Sequence, residues 1–160
     1  MGPEQSGGFE PATGDGPPPA EPAAVRAASV RTAFEGLLQI RRLTGGGAAG
    51  PAPWERNRPV RAVALALEHS GSAPSAVDAG GRRVSAGYRV SGGESAGSVR
   101  VEWVGPPGSG AVHDEEEALS GCATVLRGLG WTVLLYRGPR RRRYLEVEPP
   151  GGMSGGHSRS

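Results

Sequence analysis

A chain of 160 residues that devotes 28 to Gly and 15 to Pro, crowded into its ends and connections, leaves about a hundred for a core, which excludes anything larger than one small domain. The formal charge of +2 and the isoelectric point near 9.2 invite a nucleic-acid reading. Every basic residue is Arg, however, and with no Lys, a single Ile (Ile40) and a single Asn (Asn57) the usage is that of a GC-rich bacterial genome, so Arg abundance by itself says little about function.

Residues 1–22 are built from Gly, Pro, Ala, Glu and Ser around a lone Phe9, too little apolar surface to offset ordering entropy, and are expected to be disordered. The domain is expected over residues 23–148. It opens with an amphipathic helix over Ala23–Leu43, with Val30, Ala33, Phe34, Leu37 and Ile40 on one face and Arg31, Glu35, Gln39, Arg41 and Arg42 largely around the other side. Gly36 in its interior costs on the order of 1 kcal/mol relative to Ala, so the helix needs a surface to pack on. Residues 44–53 read as a flexible linker ending at Trp54. Asn57 before Arg58 and Pro59 suggests the start of a second helix running to about Glu68, with Val60, Val63, Ala64, Leu65 and Leu67 as its apolar stripe, and residues 70–81 read as an exit loop.

Period-two alternation follows. Val84, Ala86, Tyr88 and Val90 alternate with Arg83, Ser85, Gly87 and Arg89, and Val99, Val101 and Trp103 alternate with Arg100 and Glu102, which predicts a hairpin. Residues 114–129 then return to helical spacing through Leu119, Cys122, Ala123, Leu126 and Leu129. Asp114, Glu115, Glu116 and Glu117 lie at the positive end of the helix dipole, Arg127 in the last turn, and Gly130 is the left-handed stop. Trp131, Val133 and Leu135 alternate with Thr132, Leu134 and Tyr136, and after a turn Leu145 and Val147 alternate with Tyr144, Glu146 and Glu148. Residues 149–160 read as a second disordered tail.

The order defines an α+β fold: one small domain with a mainly antiparallel four-stranded sheet, strand-strand-helix-strand-strand, and two preceding helices packed on one face. Val84, Tyr88, Val99, Val101, Trp103, Trp131, Val133, Leu135, Leu145 and Val147 are expected to face the helices, leaving the other face polar and wet.

Chemistry is sparse. Cys122 is the only cysteine, so neither an intrachain disulfide nor a Cys-based structural zinc site can form, and its place on the apolar stripe makes it a core residue. His113 and Glu117 lie four apart, but helix-end electrostatics accounts for that acidic run without a metal. The glycine clusters match neither the phosphate-loop nor the dinucleotide fingerprint. No catalytic residue, metal or cofactor is assigned. The sharpest feature is the turn holding Arg137, Arg140, Arg141, Arg142 and Arg143 before Tyr144, which could grip phosphates and stack a base. Against this, residues 114–148 hold six acids and six arginines, so a basic patch would have to act locally. Val30, Phe34, Leu37 and Ile40, with Trp54 in its Pro-rich setting, are the expected protein interface. No apolar run approaches the roughly 20 residues of a membrane span, and the start MGPEQSGGFEP is neither basic nor apolar, so a cytoplasmic location is expected. The leading expectation is a small non-catalytic accessory protein that binds another protein or itself through the first helix or the outer sheet face; nucleic-acid binding through the Arg-rich turn is the alternative.

Overall fold

A computed structural model describes residues 9–44 and 50–150. The chain folds as α1 (Ala23–Leu43), α2 (Pro53–Asn57), α3 (Pro59–His69), β1 (Ala76–Val77), β2 (Arg83–Ser85), β3 (Gly87–Gly92), β4 (Val99–Val104), α4 (Ala111–Gly128), β5 (Thr132–Arg137), a short 3-10 turn (Pro139–Arg141) and β6 (Arg143–Glu148). This is the expected α+β architecture, a four-stranded antiparallel sheet in the order β3-β4-β6-β5. The two hairpins on either side of α4 lie side by side, with β4 and β6 in the middle.

The inner face carries Tyr88, Val90, Val99, Val101, Val133, Leu145 and Val147, packed with Leu119, Cys122, Ala123 and Leu126 of α4 and a run of α3 from Ala62 to Leu67. Alternation explains the strands, because one-faced burial fixes which side each residue takes. Two residues expected to face the helices do not. Leu135 is half-exposed because helical cover reaches Val133 on the edge strand and stops there. Val84 is exposed because the chain breaks at Ala86, and β2 leaves the main sheet to pair with β1, a strand that forms within the expected exit loop. Gly87 permits this break, since a Cβ there would collide with the main chain of residues 73–75.

α1 docks on α3 and not on a surface outside the domain: Val30, Phe34 and Leu37 are buried in the core. The fourth inward position is Arg41, one further step along the same stripe, and Ile40 turns partly to solvent instead. Arg41 is 1% exposed and pairs with the equally buried Glu55 through Nε and a terminal nitrogen, both at 2.7 Å, and also donates to the Leu129 carbonyl at 2.7 Å. Glu55 in turn accepts from the Ala52 N–H, so one carboxylate caps α2 and clamps the end of α1. Hence residues 51–53 of the expected linker are fixed: Pro51 and Ala52 are buried and Pro53 begins α2. Asn57 ends α2, and Pro59 starts α3 after Arg58. Residues 45–49 of the linker lie outside the described residues.

The domain also begins earlier than expected. Of residues 1–22, residues 1–8 fall outside the described residues, but residues 9–22 lie as a strap over the domain. The Thr13 carbonyl accepts from Val90 N–H, Gly16 from Val77 N–H, and Ala12 from the Tyr88 hydroxyl. Residues 73–75 complete the cover of this edge by exchanging main-chain bonds with Tyr88. Gly14, at φ +98°, sits against Tyr88 and Arg89 where any Cβ would overlap the strand. Side chains pin the strap: Arg61 to Glu10, Arg26 over the Phe9 ring, and Arg83 and Arg89 to Asp15. The tail expected over residues 149–160 lies outside the described residues beyond Pro150.

Two outcomes follow for stability. Glu55→Gln should cost about 3–5 kcal/mol in denaturant unfolding by stranding a buried guanidinium, whereas the double change Arg41→Met with Glu55→Leu should cost clearly less than the single. Burial raises the Asp15 pKa, but the hydrogen bonds and charges of Arg83 and Arg89 outweigh it and hold the carboxyl below its ordinary value. A depressed folded pKa means that the contribution is full above the unfolded pKa and disappears as pH falls through the folded one. Exchange protection of the Val77 and Val90 amides should therefore decline below about pH 4, and Asp15→Asn should lower protection at neutral pH and remove that acid step.

Candidate functional site

Sequence adjacency presents the five arginines of the turn as one group; the fold divides them. The ladder between β4 and β6 stops after Val101 opposite Leu145, and the buried carboxylate of Glu115, from the second turn of α4, fills the fork beyond it. Glu115 accepts from Arg142 Nε at 3.0 Å and, through its other oxygen, from the Arg143 main-chain N–H, while Arg142 also donates to the Trp103 carbonyl at 2.9 Å. Arg143 further approaches Glu116 at 3.5 Å. Arg142 and Arg143 thus serve the fold. Arg137, Arg140 and Arg141 are exposed and face no carboxylate among the described residues. α4 begins at Ala111, three residues before the expected acidic start, which moves Glu115 inward from the helix end.

Arg140 and Arg141 both hold left-handed backbone, φ +61° and +64°, with Arg142 N–H donating to the Pro139 carbonyl. Asn-Gly fits such a pair with less strain, and each Arg costs on the order of 1 kcal/mol there. Arg140 and Arg141 are both exposed in this turn.

The outer face of the sheet is also divided. On β3 and β4 it is ionic: Arg89 meets both Asp15 and Glu102. On β6 and β5 the expected polar residues, Glu146 opposite Leu134 and Glu148 opposite Thr132, share the face with an aromatic and apolar strip. Tyr144 lies directly opposite Tyr136 with ring centroids 5.6 Å apart, and the Arg100 guanidinium stands 3.9 Å over the Tyr144 ring. A stack of Arg100, Tyr144 and Tyr136 thus crosses three strands and ends at the sheet edge. On β5, Leu134, Leu135 and Tyr136 are 50%, 53% and 44% exposed. This is the exposed apolar cluster that sequence periodicity missed, because alternation assigned Leu135 to the core.

No described residue pairs its main chain with that of the β5 edge. β3 bonds outward through Tyr88 and Val90, so antiparallel alternation carried across β4 and β6 directs the main-chain groups of Val133, Leu135 and Arg137 away from the sheet. The Val133 carbonyl confirms the direction, since it accepts from the Arg127 side chain at 2.8 Å. The N–H groups of Val133, Leu135 and Arg137 and the carbonyls of Leu135 and Arg137 have no partner among the described residues.

The other expected sites disperse. Val30, Phe34 and Leu37 are core, Ile40 is partly exposed, and Trp54 packs partly buried against the core, so these five form no shared interface. His69 stacks on Phe34 at 4.0 Å, His113 is exposed in the first turn of α4, and burial pushes the Cys122 thiol up to about 11. No group of three or more His, Cys, Asp or Glu that could hold a metal occurs among the described residues. A cavity of about 590 Å³ lies between the strap prolines, α1 and the end of α3, but Arg26 and Glu68 on its wall are bound to each other at 2.7 Å. No helix among the described residues is long and apolar enough to cross a membrane. The chain matches no known protein-family model, no curated protein and no solved structure.

Glu115→Ala should destabilise the protein by about 2–3 kcal/mol in denaturant titration, because it leaves the Arg143 amide and the Arg142 guanidinium without their acceptor. Glu116→Ala, three-quarters exposed, should stay within about 0.5 kcal/mol.

Proposed function

We propose that the protein is a small non-catalytic interaction module whose working surface is the β5 edge with the adjoining outer face of the sheet. The observation that carries this reading is the exposure of three consecutive large apolar residues, Leu134, Leu135 and Tyr136, on a strand with an unpaired edge. Natural sheets cover or charge such edges, and an uncovered apolar one marks a place where another chain docks. The expected first-helix interface is set aside, since its apolar face supports the chain's own core. A cytoplasmic location remains part of the proposal.

A second reading, contact with single-stranded nucleic acid, is favoured by one arrangement. The stack from Arg100 to Tyr136 offers an aromatic surface beside Arg137, Arg140 and Arg141, the combination that binds bases and phosphates without sequence preference.

Affinity capture with the full chain, from lysate treated or untreated with nuclease, tests the two together. Protein partners should co-elute after nuclease treatment, survive Ile40→Asp on α1, and be lost with Leu134→Asp or Tyr136→Asp. Partners retained by both edge variants would remove this surface from consideration, and partners that nuclease abolishes would move the assignment to nucleic acid.

A further inference from the structure

Resting on that reading, we propose that the occupant of the β5 edge is an extended segment of another protein, with an apolar centre flanked on both sides by carboxylates, which adds to the sheet as a fifth strand. Two features of the edge specify this partner. The first is the main chain: five outward groups, the N–H of Val133, Leu135 and Arg137 and the C=O of Leu135 and Arg137, are spaced as a strand's edge and open to an incoming backbone. At the opposite edge Thr13, Ala73 and Ser75 bond the main chain of Tyr88 and Val90; at β5 no described residue's main chain does so.

The second feature is charge. The edge has a cation at each end, Arg127 at the Val133 carbonyl and Arg137 with Arg140 and Arg141 beyond the last pair, and three apolar side chains between. Val133 to Arg137 spans about 13 Å, so a fitting segment places acids about four residues apart with apolar residues between them. Leu134 and Tyr136 would receive its side chains on the outer face and Leu135 on the other.

A second copy fits worse. Two β5 strands paired antiparallel about Leu135 would bring Arg137 of each against Val133 of the other, where Arg127 already occupies the carbonyl, setting like charges together at both ends. The chain's own residues 151–160 carry no acid to meet these arginines. Arg127 and Arg137 thus discourage self-pairing while selecting an acidic partner.

The test uses the full chain and a labelled peptide of sequence Asp-Glu-Val-Leu-Val-Glu-Asp, blocked at both ends. The Leu135 and Arg137 amides should exchange rapidly in the free protein at all concentrations and become protected on peptide addition. Methylating alternate peptide nitrogens should weaken binding at least about tenfold by removing edge hydrogen bonds, and Arg137→Glu, an exposed change, should weaken it by a similar factor. Any of five results overturns the proposal. Equal binding of the methylated peptide removes strand addition. Protection in the free protein that grows with concentration assigns the edge to a second copy. Concentration-independent protection assigns it to the chain's own segments. Tighter binding of a labelled oligothymidylate, displacing the peptide, assigns the surface to nucleic acid. If the peptide fails while capture still depends on Tyr136, the face docks a folded protein: the interaction reading stands and the fifth strand falls.

Discussion

A sheet must satisfy the main-chain groups along both of its edges, and the rest of this molecule is arranged around the unequal way in which that requirement is met. At β3 the chain supplies the partners itself, through Ala73, Ser75 and the strap carbonyl of Thr13. The ionic links of the strap, the pinched glycines at 14 and 87 and the buried Tyr88 hydroxyl all serve that closure. At β5 the described residues cover only the Val133 carbonyl, and by a side chain. Because main-chain direction alternates rigidly, cover at β3 and exposure at β5 are two ends of one hydrogen-bond register.

Polar groups inside the domain organise this frame where hydrophobic contact alone would not. Arg41 and Glu55 hold the end of α1, the start of α2 and the end of α4 at one point. Glu115 performs the corresponding task at the far end of the sheet, replacing the main-chain partner that β4 no longer provides to β6. Each carboxylate is matched by an Arg and a main-chain N–H, which offsets its desolvation and makes the position specific. The Arg-rich turn is anchored by two of its members and presents the remainder.

The alternating and helical periods made α4, β5, β6 and the β3–β4 hairpin legible, because those elements bury one face against the core. What stayed hidden depended on partners distant in sequence. Arg41 looked like a surface cation because its acid lies fourteen residues on in a separate helix. Residues 9–22 looked disordered because they are ordered chiefly by main-chain bonds and ion pairs with strands some 75 residues later, which composition does not register. The five turn arginines were indistinguishable as letters, and only Glu115 separates the structural pair from the exposed three. Leu135 obeyed its period and still reached solvent, since alternation assigns a face but not how far the helices extend over it.

The strand order has a consequence for assembly. β6 is the last strand among the described residues, yet it lies in the interior of the sheet, between β4 and β5. By itself β5 has no neighbour in the sheet but β6, the strand that joins it to β4. Without β6 only the β3–β4 hairpin, its strap and the helices can come together. The two hairpins become one sheet only where β6 pairs with β4 and the Glu115 carboxylate meets the amide of Arg143. A chain shortened before Arg143 would lose not a peripheral strand but the one that makes the two halves a single sheet.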